Sequence, residues 1–499
     1  MENMATSRPN ILWYCTDQQR FDTIRAMGNP HIRTPSLDKL VGAGTAFENA
    51  YVQSPICTPS RASFLTGRYP ASTHVHRNGN ARFPECETLV TKILAEAGYD
   101  CGLVGKLHLA SAANGREPRT DDGYRAFHYS HHPMPAADHD CTRYNDYTHW
   151  LTVKKQVDPA ALYGKAKSFC CEGMPAELHQ STWCTEMAIS FIDEPRDGPW
   201  MLSVNPFDPH PPFDPPKSFL DRYNSAELPP PLFRDTDLER QKQFRNICQQ
   251  TVQATDPSGE NSDEPTGMGV TSAATRPPAS FNGGQVKAAY YAMIELLDQQ
   301  FGRLIDHLDA KGALDDTLII FHSDHGEQLG DHGLLLKGCR FFEGLVHVPL
   351  IFCWAGQIKA GIKSDALVEL VDIAPTILDA AGIDIPYFMQ GKSLMPLLRG
   401  QADPHHHKDR VVAEFNDALG SAEFSYPTHA TMTFDGRHKM VVYHGHGFGE
   451  LFDLHADPGE FDNLWDDPGA QDLRHDLLHK HLDAVMSTSD AGIERVGKF

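Results

Sequence analysis

Residues 54 to 70, SPICTPSRASFLTGRYP, set a cysteine at the mouth of a helix. Pro55 and Pro59 bracket Cys57, and SRASFLTG has the pattern of a helix entered near its positive end. Backbone N–H groups at that end favour an anion and lower a thiol pKa, which makes Cys57 a candidate nucleophile. Two pairs, Asp17-Gln18 and Asp324-His325, each follow an apolar strand, and such oxygen and nitrogen donors together could hold a divalent cation. One Asp at a strand end is more often a helix cap, but two pairs behind two strong strands favour a metal. Lys106 ends another buried strand, where an ammonium is costly unless an anion or carboxylate meets it. His108 and His210 follow strand ends too; a loop histidine is as often a surface residue as a proton carrier.

The elements that must position these groups alternate between short apolar runs and helical patterns, the appearance of a largely parallel sheet flanked by helices. ILWYCT (11 to 16) runs into Asp17, DCGLVG (100 to 105) into Lys106, PWMLSVN (199 to 205) toward His210, and TLIIFHS (317 to 323) into Asp324. Open α/β sheets place their sites beyond the carboxyl ends of parallel strands, and four such ends here carry reactive side chains. TAFENAYV and VPLIFC add two more strands. Thr34-Pro35 is expected to cap a helix that stops at Gly44. A second helix follows Leu89, and a third runs through YYAMIELLDQQFGRLIDHL to Gly312.

Residues 251–283 are rich in Pro, Gly, Ser and Thr without periodicity, which predicts an insertion loop. After about residue 405 the runs RVVAEF, THATMTF, HKMVVYH and ELFDL predict a small antiparallel sheet, covered by a helix from Asp472 to Met486. The expected division is therefore a catalytic α/β domain over 1–404 and a C-terminal α+β subdomain over 405–499. Two polar segments stay ambiguous. HYSHHPMPAADHDCTRYNDYTHW (128 to 150) either lines a substrate pocket or forms a polar surface excursion, and HGHGFGE (444 to 450) either reaches the pocket rim or turns a hairpin.

Composition narrows the function classes. The net charge of −22 over 499 residues excludes nonspecific nucleic-acid binding, which rests on Lys and Arg neutralising phosphates. Bound anions then need a local positive site. The eleven cysteines show no paired CxxC spacing, which argues against a disulfide framework or structural zinc and fits a reducing cytosol. MENMATSRPN carries no apolar run of signal-peptide length, and no eighteen apolar residues follow one another, so a cytoplasmic protein without a membrane partner is expected. A homo-oligomer stays open.

Cys57 and Arg61 also suggest the anion-binding turn of cysteine phosphatases, but the glycines of that loop are absent. Cys57-Thr58-Pro59-Ser60-Arg61 with Thr66-Gly67-Arg68 instead resembles the signature of type I sulfatases of the alkaline phosphatase superfamily. PNILWYCTDQQR, TPSLDKL, GLVGKLHLA, PHPPF, SDHGEQLGDHG, VDIAPTILDAAG, GKSLMPLL and ELFDLHADPGEFDNL extend the resemblance, in order, over nearly the whole chain. The resemblance implies an alkaline phosphatase-like α/β fold and hydrolysis of sulfate monoesters, on small molecules or saccharides. It implies that a formylglycine-generating enzyme converts Cys57 to formylglycine (3-oxoalanine), whose hydrate is the nucleophile. Asp17, Gln18, Asp324 and His325 would be metal ligands, with the converted Cys57 also touching the ion. Arg61 would hold the hydrate, Lys106 and Lys337 would bind sulfate oxygens, and Asn78 would contact the anion. His108 matches the family's base, and His210 its sulfate-binding histidine near the leaving group.

The pattern departs from sulfatases that open with two adjacent aspartates and close with Asp-Asn. Asp-Gln with Asp-His resembles choline sulfatases and phosphonate monoester hydrolases, and an imidazole ligand leaves room for Mn²⁺ beside Ca²⁺. Phosphonate monoester hydrolases are the runner-up; they carry Tyr and Thr where this chain has Lys106 and His108, which favours sulfate esters. A noncatalytic anion-binding pseudoenzyme is the third reading, and it would tolerate losses at positions that are all filled here.

Overall fold

A computed structural model describes residues 8–112, 115–132, 145–163, 169–262, 278–417, 427–490 and 492–497. The eight strands β1 (Asn10–Thr16), β2 (Thr45–Tyr51), β3 (Asp100–Gly105), β4 (Ala126–Tyr129), β5 (Trp200–Asn205), β6 (Thr317–Ser323), β7 (Leu350–Cys353) and β8 (Ile362–Glu369) form one sheet. Their order is β4-β3-β5-β1-β6-β7-β2-β8. From β4 to β6 every pairing is parallel; β7 runs antiparallel to both β6 and β2. The sheet is therefore mixed, with its parallel half carrying the reactive strand ends.

The apolar runs follow from burial on both faces. Ile11, Trp13 and Cys15 of β1 point into one core with Leu103, Met201, Leu318 and Ile320. Leu12 and Tyr14 point into the other with Val104, Leu202, Val204, Ile319 and Phe321. Helices Pro35–Ala43, Gln180–Asp193 and Gly283–Ala310 cover the second face. Helices Cys57–Thr66, Val90–Glu96 and Ile373–Ala380 cover the first.

A second, four-stranded antiparallel sheet is built from β9 (Val411–Asn416), β10 (His429–Phe434), β11 (His438–His444) and β12 (Phe448–Asp453), ordered β12-β11-β10-β9. Helix Gln471–Ser487 packs against it. Val411, Ala413, Phe415, Met432 and Tyr443 of this sheet share the first core, so the small sheet closes one face of the large one. At the junction Lys439, fully buried, holds Glu460 at 2.8 Å and Glu343 at 2.5 Å. Arg340, equally buried, reaches Tyr443 Oη at 3.0 Å and Glu450 at 3.4 Å.

Several local expectations need correction. Thr34 does not cap its helix: its hydroxyl accepts the Arg25 N–H, while Asp298 of the long helix accepts the Ser36 and Leu37 N–H groups at 3.1 and 2.7 Å. β4 and β8 went unanticipated. Residues 444–450 turn the β11–β12 hairpin. Parts of two expected segments, 133–144 and 263–277, lie outside the described residues. The flanks of the second are anchored: Thr255 N–H bonds Gly333 O, and Ser258 bridges Asn282. No helix among the described residues is long and apolar enough to cross a membrane.

Candidate active site

Four adjacent parallel strands, β3, β5, β1 and β6, end on the same edge, and this explains why distant residues converge. Thr16 of β1 pairs with Ser323 of β6, so the next residues, Asp17 and Asp324, lie side by side. The Gln18 N–H donates to Asp324 Oδ1 at 3.0 Å, which ties the two chain ends together. Gly105 at the end of β3 adopts φ +101°, and a Cβ there would stand 2.0 Å from Asn205 O. Only glycine lets β3 run this close to β5 and deliver Lys106 beside Asp17.

Helix Cys57–Thr66 brings the thiol to this edge. All ten of its residues are buried. Ile56 precedes it and offers no side-chain cap; Asn78 Oδ1 accepts the Thr58 N–H at 3.0 Å in its place. One turn on, Arg61 Nε donates to Asp324 Oδ2 at 2.8 Å and Nη2 to Asp17 Oδ2 at 3.3 Å. Ser60 Oγ donates to the Asp324 carbonyl at 2.5 Å. The helix is thus pinned to both carboxylate-bearing strand ends by its first two turns.

Around Cys57 Sγ stand Lys337 Nζ at 2.9 Å, His325 Nε2 at 3.0 Å, and Lys106 Nζ and Asp17 Oδ1 at 3.9 Å. Lys106 also donates to Asp17 Oδ2 and lies 5.4 Å from the Phe207 ring. Lys337 Nζ donates to Gln18 Oε1 at 2.8 Å. Donor atoms of Asp17, Cys57, Asp324 and His325 all lie within 4.8 Å of one another. His325 Nδ1–H donates to Gly326 O at 2.8 Å, which leaves the Nε2 lone pair facing the cluster. Two carboxylates, a lone pair aimed inward and a neighbouring amide oxygen suit a divalent cation.

Charge sets the protonation states. Burial pushes the Cys57 thiol up, but the Lys106 and Lys337 ammonium groups outweigh it and bring the pKa down to about 7. Burial opposes ionisation of Asp17 as well; Lys106, His210 and Arg61 hold it well below the usual carboxylate range. Burial, reinforced by Lys106 and Arg61, drives His108 well below an ordinary imidazole. Burial and Lys337 do the same to His210. Burial works against His325, yet Asp324 and Cys57 raise it.

The expected residues fall into two groups. Asp17, Gln18, Cys57, Arg61, Lys106, Asp324, His325 and Lys337 touch one another. His108, His210 and Asn78 surround them without a direct side-chain bond to that set among the described residues. His108 packs edge-on to His131 with ring centroids 4.3 Å apart, and its Nδ1 is buried without a partner. His210 Nδ1–H donates to Pro211 O at 2.7 Å, leaving Nε2 as the free nitrogen.

Sequence reasoning missed the groups that hold these side chains. Glu327 accepts the Gln18 amide and the Leu329 and Leu336 N–H groups. Its place three residues beyond Asp324 in SDHGEQ was the available signal. Glu117 accepts three consecutive N–H groups, from His108, Leu109 and Ala110, at 2.6, 2.7 and 2.9 Å. Nothing in REPRT announced that role.

Comparison with known proteins agrees with this geometry. The sulfatase family model matches residues 9–383, and a model of the N-sulphoglucosamine sulphohydrolase C-terminal region matches 330–488. An arylsulfatase of Clostridium perfringens is 30% identical, over 92% of this chain and 90% of its own. A choline-sulfatase of Rhizobium meliloti is 30% identical, over 93% of this chain and 84% of its own. The crystal structure of a phosphonate monoester hydrolase of Agrobacterium radiobacter superposes with a TM-score of 0.77 at 24% identity, covering 97% and 96% of the two chains, and shares the fold. Strand ends, buried cysteine helix and full-length similarity converge on one conclusion: this chain belongs to the sulfatase family, as a type I sulfatase enzyme of the alkaline phosphatase superfamily.

Proposed function

We propose that the chain cleaves sulfate monoesters of a small molecule or saccharide, with formylglycine made from Cys57 as nucleophile and one divalent cation, Ca²⁺ or Mn²⁺, at Asp17, Gln18, Asp324, His325 and residue 57. The observation that carries this reading is Lys337. Lys337 is 3% exposed, and among the described residues its ammonium meets Gln18 Oε1, Cys57 Sγ and His325 Nε2 but no carboxylate within 4 Å. Against its burial, Cys57, Asp17 and Asp324 keep this lysine charged, and with no carboxylate against it the ammonium stands ready to meet an anion carried at residue 57.

When present, the aldehyde hydrate supplies the attacking hydroxyl and the cation lowers its pKa. Lys337 and Lys106 clamp the sulfate oxygens from two sides of residue 57 and stabilise charge that grows during transfer. Arg61 fixes the orientation of residue 57 through its hold on both carboxylates. His108, kept neutral by burial, takes the proton whose loss lets sulfate leave. His210 Nε2 attends the sulfate on its leaving-group side, and Asn78 holds the cysteine helix next to the anion. A cytoplasmic location fits the reduced cysteines, and a formylglycine-generating enzyme is the partner required for maturation.

The test begins with mass spectrometry of the residue-57 peptide, where conversion removes about 18 Da. Matured protein is then given an aryl sulfate and an aryl phenylphosphonate. Faster sulfate turnover supports the reading, and a large phosphonate preference would reverse it in favour of phosphonate monoester hydrolysis. Intact Cys57 thiol in protein from the native host, without turnover, would point to an anion-binding pseudoenzyme. Elemental analysis of the same preparation separates Ca²⁺ from Mn²⁺.

A further inference from the structure

A second group of ligand-type side chains lies apart from the catalytic set, at the end of the short helix Pro70–Thr73 and in the turn at Pro84–Glu87. We propose that His74, Cys86 and Glu87 form a surface site for a borderline divalent cation of the Zn²⁺ class. Their donor atoms all lie within 4.8 Å of one another. His74 Nδ1 stands 3.0 Å from Glu87 Oε1 and 3.9 Å from Cys86 Sγ. A tetrahedral ion with bonds of about 2.0–2.3 Å sets its donors roughly 3.3–3.6 Å apart, and these separations bracket that range.

The arrangement is awkward as a hydrogen-bond network. One imidazole nitrogen faces both a thiol and a carboxylate, and a single N–H serves only one of them well. A cation among the three satisfies all of them. Local charge also leaves room for it. Arg68 is the cation already present, and it is shared between Glu87 at 3.0 Å and Asp490 at 3.1 Å. Two carboxylates therefore face one guanidinium; Arg68 Nη1 reaches Glu87 Oε2 at 3.0 Å and Oε1 at 3.3 Å, and Oε1 also faces His74 at the shorter 3.0 Å. The Glu87 side chain is 1% exposed and fixed, whereas His74 and Cys86 are open to solvent, which provides an entry path. Thiolate and imidazole select Zn²⁺ or Co²⁺ over Ca²⁺ or Mg²⁺. A bound ion would staple residue 74 to residues 86–87 and close the loop that carries Asn78, the cap of the cysteine helix.

The proposal does not rest on the catalytic reading, and its test is independent of turnover. Cobalt is titrated into full-length Cys57→Ala protein, so that the catalytic position offers no sulfur. A thiolate-to-cobalt charge-transfer band is expected, saturating at one equivalent and competed away by Zn²⁺. Cys86→Ser should abolish the band, and His74→Ala or Glu87→Gln should weaken cobalt binding about tenfold or more. Circular dichroism confirms that each variant is folded before titration. Absence of the band, or its survival in Cys86→Ser, overturns the site. Loss in Cys86→Ser with unchanged binding in both other variants shows a lone reactive thiol and overturns it as well.

Discussion

At the junction of the two sheets, Lys439 is locked between Glu343 and Glu460, and Arg340 is met by Glu450 and Tyr443. At the strand ends, Asp17 is shared between Arg61 and Lys106, and Lys337 meets no carboxylate. Both regions bury charge; they differ in closure. Junction cations have their counter-charges inside the chain, so that region can act only as a fastening. The strand-end cations outnumber the carboxylates they touch, three to two, and the third, Lys337, faces Cys57 Sγ at 2.9 Å, where the proposed reading places the substrate anion.

The comparison breaks first at Cys57. Cys57→Ala should lower aryl sulfate turnover by roughly 10⁴-fold or more while the melting temperature barely moves. Substantial residual turnover would remove the nucleophile from the argument. Lys337→Met should cost about 10²–10³ in turnover, with a much smaller effect on thermal stability than loss of a junction cation, because no carboxylate lies against its ammonium among the described residues. A marked loss of stability would mean that Lys337 is a fastening too.

Lys439→Met sharpens the contrast from the other side. It removes the cation shared by buried Glu460 and part-buried Glu343 and should cost about 3–5 kcal/mol in denaturant unfolding, with turnover per folded molecule unchanged. A neutral result would show that the junction is not held by its charges.

The smallest effect concerns His481, whose two ring nitrogens lie 2.7 and 2.9 Å from the Thr431 and Thr433 hydroxyls. Burial, with His444 and Arg410 nearby, lowers its pKa to about 4. Unfolded histidine titrates near about 6.5, so between these values the unfolded chain holds one more proton. Stability contributed by the neutral ring is therefore complete above pH 6.5 and lost as pH falls, at up to about 1.4 kcal/mol per pH unit. His481→Gln should flatten the slope of unfolding free energy against pH by about one proton in that window. An unaltered slope would place the titration elsewhere.

Most of this was legible in the chain where local rules and the fold agree. Strands buried on both faces announce themselves as apolar runs, and Asp17, Lys106 and Asp324 stood out because charge follows such a run immediately. β4 and β8 escaped because AFHY is short and half-buried at one sheet edge, while IKSDALVE at the other neither alternates nor forms an unbroken apolar run. The reversal of β7 was not visible, since a buried strand looks alike in both directions. Caps failed for a related reason: Thr34 offered a local solution, but Asp298, 264 residues away, supplies it. Glu117 holds backbone seven to nine residues before it, and a single carboxylate in a polar stretch carries no mark of that task; Glu327 had only its place in SDHGEQ to mark it.

The enclosure of helix Cys57–Thr66 limits when the proposed conversion of residue 57 could take place. Once Phe64 and Leu65 are packed and Arg61 grips two strand ends, another protein can no longer seize the thiol. Any enzymatic conversion of residue 57 belongs to the interval before closure, so a chain that folds too early is left with its original sulfur.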